Sequence, residues 1–335
     1  MNNIELSEVR IQDMFNNGEA FEWASKVYNK EELSEEQKAF SAMIDENVKA
    51  IYETSSATAT TEIAQIVRKI LEPEIFGVPN EILGEIFDDA GQFGEFDKMK
   101  VRYSAKNTLV ARQSAQRTGN VMKSYIDFTK GQVAETNLQI ETELRMSDLR
   151  RDGAYGVAQL TMFAIEEFDK QKFRYLLTVA DDLVKSGGEN YFTVTGALTS
   201  AVVNDFTGYV DDNNLDSGYG KIVGLSNKMR ELSRTANCSD PMLETLNNTA
   251  LLPIVNGCNL VSIKKGKKTG DGQTLMPEKK LFGFAGKIGQ MYTKGSMRVL
   301  TTNDNNSEVI SIKFTGVEFG VCIDKPEKIA KLVIG

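Results

Sequence analysis

The residues Ser307–Gly335, SEVISIKFTGVEFGVCIDKPEKIAKLVIG, begin with an alternation that a long, bent strand explains. From Val309 onward, Ile310, Ile312 and Phe314 take every second position, and Val317, Phe319, Val321 and Ile323 do so again beyond Thr315–Gly316. A period of two is the pattern of a strand with one buried face. The phase slips by one at Thr315–Gly316, which predicts a bulge or bend there. The preceding residues from Met297 are also β in character, so the C-terminal part of the chain is built on extended backbone.

Working back toward the N-terminus, LFGFAGKIGQMYTKG (Leu281–Gly295) places Phe282, Phe284, Ile288 and Tyr292 in a strand pattern interrupted at Gly286. Its glycines and lysines do not make a phosphate loop. Ile288 follows Gly286–Lys287 where a Walker loop needs Ser or Thr, and Gly283, Gly286 and Gly289 have the wrong spacing for a dinucleotide fingerprint. Upstream lie a lysine- and glycine-rich loop, Lys264–Lys280, and a strand, CNLVSIK. KIVGLSNKMREL reads as a strand followed by a helix capped by Ser226, and Asp240–Pro241 opens another helix. DDNNLDSGYGKIV departs from a calcium loop at Ser217 and Val223 and reads as a solvated acidic loop.

The longest helical pattern is GAYGVAQLTMFAIEEFDKQKFRYLLTVADDLVKSGG (Gly153–Gly188), in which Val157, Leu160, Ala164, Phe168, Leu176, Val179 and Leu183 keep three- and four-residue spacing and Gly187 is a C-cap. About 30 residues at 1.5 Å each span about 45 Å, so something extended must pack along it. A second helix opens on the capping box Ser34–Gln37 and buries Phe40, Met43, Ile44, Val48 and Ile51. A third is expected over Thr61–Leu71, stopped by Pro73. Met1 to about Lys30, with the lone Trp23, reads as an acidic arm that needs a partner surface to become ordered. Strands and helices mix without a βαβ rhythm, which predicts an α+β protein.

Charge is unevenly placed. Between Lys98 and Lys130 stand eight basic residues and one acid, a local +7 on a chain of net −8, so that the rest carries −15. In KMKVRYSAKN, Lys98, Lys100 and Arg102 alternate with Met99, Val101 and Tyr103; a polar tip, Arg112 to Asn120, leads to a returning run. This predicts a long basic hairpin. A solvated hairpin would leave an apolar face bare, and a nucleic-acid reader would want more aromatics than Tyr103 and Tyr125. The favoured alternative is an arm reaching an acidic surface on another copy, with Lys98, Lys100, Arg102, Lys106, Arg112, Arg117 and Trp23 as inter-subunit contacts.

At 335 residues and 41% hydrophobic, the chain can bury a substantial core. With no histidine, imidazole acid–base chemistry, histidine-activated nucleophiles and most transition-metal sites are excluded. Cys238, Cys258 and Cys322 have no metal-ligand spacing and read as small buried hydrophobes. Glu166–Glu167 and Asp181–Asp182 diverge by about 100° on a helix and make no catalytic dyads. No apolar run is long enough for a membrane span and no signal segment opens the chain, so a soluble protein made in the cytoplasm is expected.

This order of elements resembles the major capsid proteins of tailed double-stranded DNA bacteriophages with the HK97-type fold. The strongest local likeness is the end, where in DKPEKIAKLVI a proline turn and short helix lead a final strand home. The resemblance implies an N-terminal arm over 1–45, a helical segment of the peripheral region over 46–91 and an extended loop over 92–137. It further implies a peripheral domain with a spine helix over 138–189, an axial domain over 190–300, the long peripheral strand over 301–323 and a return to the axial domain over 324–335. It implies self-assembly into hexamers and pentamers of an icosahedral shell around double-stranded DNA, in a virion capsid assembled in the host cytoplasm. No enzymatic activity and no cofactor are implied, although some members cross-link lysine to asparagine, for which Lys98, Lys100 or Lys106 are candidate donors. A separate scaffolding protein, a portal and a decoration protein are further implied partners, with DNA held without sequence-specific contacts and no membrane. An encapsulin-like protein compartment shares the fold, and a cytosolic enzyme using carboxylates or lysine is the alternative of another class.

Overall fold

A computed structural model describes residues 8–54, 56–77, 81–97, 103–106, 127–215, 218–236, 240–304 and 308–335. The architecture is α+β, with two separate mixed sheets, a helical bundle and one long helix that touches all three.

The bundle is made by α1 (Glu8–Asn16), α2 (Glu19–Asn29), α3 (Glu35–Thr54) and α4 (Ala57–Phe76). The predicted capping box forms: Ser34 N–H donates to Gln37 Oε1 at 3.1 Å, and Gln37 N–H donates to Ser34 Oγ at 3.2 Å. Phe40, Ile44, Val48 and Ile51 are buried, as the periodicity required. Helix α4 runs through Pro73 to Phe76 instead of stopping before it. Proline costs the helix one N–H and crowds the preceding turn, but does not end it here; Lys172 donates to the last-turn carbonyl of Ile75 at 2.6 Å.

The N-terminal residues depart from expectation. Trp23 is 0% exposed, lies edge-on to Phe40 with ring centroids 5.0 Å apart, and donates its indole N–H to Ser41 at 2.8 Å. Met14, Phe15 and Ala20 join the same core. Helices α1 and α2 are therefore part of the subunit's own bundle, and Trp23 is buried within it. Their apolar spacing was too short and too acidic to reveal this from sequence, because the surface they cover is supplied by α3, α4 and a helix over a hundred residues away.

Helix α6 (Met146–Leu183) follows α5 (Glu81–Ile86), β1 (Phe87–Phe93), β2 (Tyr103–Lys106), β3 (Asp127–Lys130) and β4 (Gln132–Arg145). It is broken at Gly153, φ 52°, so the continuous helix begins at Ala154, near the expected start. Ala158, Ala164 and Phe168 lie in the bundle core, whereas Phe173, Leu176 and Leu177 enter a second core under both sheets. The length of the helix thus comes from bridging two cores.

The remaining elements are β5 (Tyr191–Val194), α7 (Ser200–Asp212), β6 (Gly220–Leu225), α8 (Ser226–Thr235), α9 (Asp240–Thr249), β7 (Ile254–Val255), β8 (Cys258–Ile263), β9 (Lys280–Phe284), β10 (Gly289–Lys294), β11 (Arg298–Asp304), β12 (Val309–Ile323) and β13 (Ile329–Ile334). The first sheet orders its strands β1-β10-β12-β11, with β4 on the other side of β12. The second runs β5-β13-β9-β6-β8-β7. Strand β12 is the predicted bent strand. Its pairing with β4 shifts register between Phe314 and Val317, and Gly316 sits at φ 86°. A Cβ there would meet the Ser296 carbonyl oxygen at 2.6 Å, so only glycine fits the bulge.

Leu281–Gly295 is not one strand. Strand β9 belongs to the second sheet and β10 to the first, with Gly286 at φ 76° in the turn between them. The stretch expected to run as one unit over 190–300 therefore divides at Gly286, and β10 and β11 join the first sheet. Likewise β4 joins that sheet from Gln132, inside the range expected for the extended loop. Ser226 does not cap α8; its hydroxyl donates to Ile263 O at 3.0 Å and ties the helix to β8.

Candidate assembly surface

Of the basic hairpin, Lys98, Lys100, Arg102, Arg112 and Arg117 lie outside the described residues, and Lys106 ends β2. Strands β2 and β3 pair antiparallel, Tyr103 opposite Lys130 and Lys106 opposite Asp127, and form a two-stranded ribbon of their own. After Gly131, the returning strand becomes β4 and enters the first sheet.

Residues 92–97, at the end of β1, are held by contacts of their own. Gly94 N–H donates to Asp97 Oδ2 at 2.8 Å, and Gln92 Nε2 donates to Gly295 O at 2.8 Å. Arg298 pairs with Glu95 at 2.6 Å. Beside this anchor Phe96 is 92% exposed, and Phe128 on β3 is 60% exposed. On the same sheet the ring of Tyr292 lies against Gly320, where a Cβ would stand 2.2 Å from its Cζ, and its hydroxyl donates to Glu135. Burial and that carboxylate push the Tyr292 hydroxyl well above the ordinary tyrosine range. Strand β4 pairs with β12 on one edge and, among the described residues, with no strand on the other.

The lysines of Leu281–Gly295 are held within the subunit: Lys287 pairs with Asp88 at 2.6 Å and Lys294 with Glu318 at 3.3 Å. Two polar clusters that the sequence did not announce lie along α6. Asp181 accepts from Lys280 at 2.6 Å and from Lys331 at 3.0 Å, joining the helix to β9 and β13. Burial opposes its ionisation, but the two lysines outweigh it and hold the carboxyl below its usual range. Nearer the bundle, Lys172 is buried at 4% exposure and donates to Ile75 O at 2.6 Å, with Asp169 one turn before it on α6. Partners separated by about a hundred residues leave no local signal.

Among the described residues no group of three potential ligands could hold a metal ion, and no helix is long and apolar enough to cross a membrane. Cys258 is buried beside Thr207, with burial pushing its thiol up to about 12, and Cys322 is buried in β12; Cys238 lies outside the described residues. A cavity of about 440 Å³ between α6 and the lysine-rich loop is lined by Arg174, Thr178, Asp181 and Gln273. A shallow groove of about 320 Å³ crosses α1, α3 and α4.

No family model and no curated protein matches the chain. Solved structures similar to it include the capsid of cyanophage P-SCSP1u, 11% identical, with a TM-score of 0.45 over 75% of this chain and 88% of that one. The Gordonia phage Cozz structure is 11% identical, with a TM-score of 0.47 over 77% and 87% of the two chains. The mature capsid of bacteriophage PhiM1 is 11% identical, with a TM-score of 0.44 over 72% and 84%.

Proposed function

We propose that this chain is the major capsid protein of an HK97-type shell, assembling from copies of itself into hexamers and pentamers that enclose double-stranded DNA. The observation that carries this is the ribbon β2–β3, which among the described residues pairs with neither sheet. An isolated two-stranded ribbon is marginal in water and needs a surface to lie on. The hairpin from which it comes carries +7 against −15 elsewhere, so the surface it fits best is another copy. Such a head-to-tail contact uses different patches on the two partners and closes into rings when the rotation allows.

The element order supports the same reading. The long helix joins a first sheet, peripheral in the proposal, to a second, axial one; after β12, a 3-10 turn at Pro326–Lys328 returns the chain to the axial sheet as β13. The acidic remainder keeps the inner wall from adhering to packaged DNA. The role is structural, without catalysis or cofactor, in the capsid of a virion assembled in the host cytoplasm. A separate scaffold, a portal and a decoration protein are its partners beyond itself.

Expression of the full chain, followed by size exclusion and negative-stain microscopy at low and high salt, tests the proposal. Closed shells are the expected result. A monomer or dimer that persists under every condition overturns it, and shells that copurify with a single protein cargo replace DNA packaging by an encapsulin-like role. Reversing Lys100, Arg102 and Lys106 to glutamate should abolish shells while leaving the subunit folded.

A further inference from the structure

Between β8 and β9 the chain carries a second concentration of positive charge. Residues 264–280 hold six lysines against Asp271 and Glu278, a local +4. Lys264, Lys265, Lys267, Lys268 and Lys279 are exposed, whereas Leu275 and Met276 turn inward and are buried in the second core. The outward face is therefore made of lysine, glycine and short polar side chains, with Pro277.

The loop is braced rather than slack. Lys268 bridges to Thr274, and Thr269, 4% exposed, donates its N–H to Gln273 O at 3.0 Å. Arg174 on α6 donates to the Gln273 side chain, and both residues line the cleft of about 440 Å³ between the helix and the loop, together with Thr178 and Thr274. The two acids of the loop are engaged within it. Glu278 pairs with Lys265 at 2.6 Å, and Asp271 accepts from Gln273 Nε2 at 2.6 Å and from Thr269 Oγ1. Among the described residues Lys264, Lys267, Lys268 and Lys279 make no ion pair, although the charge of Lys267 is felt at Asp169 on α6.

We propose that this loop, with Arg174 beside it, is a phosphate-binding surface for the backbone of double-stranded DNA. A duplex carries one negative charge per about 1.7 Å of its axis, and lysines that reach it gain by releasing condensed counterions. Phosphate oxygens are met by Lys and Arg, by Gln and Thr and by backbone N–H groups, and such contacts read no sequence. An acidic patch on another copy fits the loop less well, because protein interfaces are depleted of lysine and built on aromatic, Met and Arg anchors. Here the apolar side chains face inward, whereas in the 98–130 hairpin the lysines alternate with Met99, Val101 and Tyr103. The inference rests on the capsid reading for the source of the DNA, and it gives an otherwise acidic wall one place to touch it.

Anisotropy of a labelled duplex of about 30 base pairs, titrated with the unassembled full chain between about 50 and about 200 mM salt, tests this. Binding that weakens steeply with salt is expected. The quadruple variant Lys264→Gln, Lys267→Gln, Lys268→Gln, Lys279→Gln should lower the slope of log affinity on log salt by roughly 2–4, about one for each lysine at a phosphate. Arginine at the same four positions should keep the slope. Should the quadruple variant not fold, Lys264→Gln with Lys279→Gln should lower it by roughly 1–2. No duplex binding at the lowest salt overturns the inference, and so does a slope that the glutamine substitutions leave unchanged. A quadruple variant that binds the duplex normally but no longer assembles also overturns it, and assigns the loop to a neighbouring copy. Shell formation is read separately by microscopy, so a chain that binds DNA through the loop yet never assembles overturns the capsid reading and leaves the loop standing.

Discussion

The side chain of Asp45, in the middle of α3, caps the long helix: its Oδ1 accepts from the Ala154 N–H at 2.7 Å. The cap sits where Gly153 breaks the helix at φ 52°, and a Cβ on that glycine would stand 2.4 Å from the same oxygen. A residue 109 positions away in sequence therefore does the work usually left to the residue preceding a helix. Asp45→Ala should cost about 1 kcal/mol, the usual worth of an N-cap, and Asp45→Asn much less. Gly153→Ala combines strain with a clash and should cost about 1–3 kcal/mol. Denaturant titration of the unassembled subunit, followed by circular dichroism, checks all three.

Trp23 offers a direct test of where the N-terminal helices belong. Trp23→Ala should destabilise the isolated subunit by about 3–5 kcal/mol, as for other fully buried aromatics. If the side chain instead served a neighbouring copy, the unassembled subunit would melt normally and only assembly would suffer. Calorimetry of the subunit separates these results.

The Tyr292 ring occupies the space a side chain at 320 would need. Gly320→Ala should cost about 1–3 kcal/mol by overpacking and displace the hydroxyl from Glu135. Tyr292→Ala in the same chain should recover part of that loss, because the two changes share one space and are not additive. A double-mutant cycle in urea gives the coupling, and a value of zero contradicts the packing.

Asp181 should make the junction of α6 with β9 and β13 sensitive to strong acid. Its carboxyl is lowered on folding, so its contribution is complete above the unfolded aspartate range, about 4, and is lost as pH falls through the lower folded value. Asp181→Asn should weaken the subunit at neutral pH and flatten the acid limb of its stability profile. Thermal melts between neutral and acid pH test this, and parallel profiles for the two proteins count against it.

The sequence by itself determined what short-range periodicity encodes: the bent strand β12 with its slip at Thr315–Gly316, the capped helix α3, most of α6, and the concentration of positive charge in one hairpin. Each depends on residues within a few turns or strand steps of one another, where spacing fixes which face is buried. Only the tertiary structure decided that α1 and α2 belong to the bundle, that Trp23 is interior, and that Gly286 passes the chain from one sheet to the other. The same alternation serves a strand in either sheet, and a short amphipathic helix packs equally well on any apolar surface. The clusters at Asp45, Lys172 and Asp181 were likewise invisible, since a buried or bridged charge is defined by partners that folding brings from a hundred residues away.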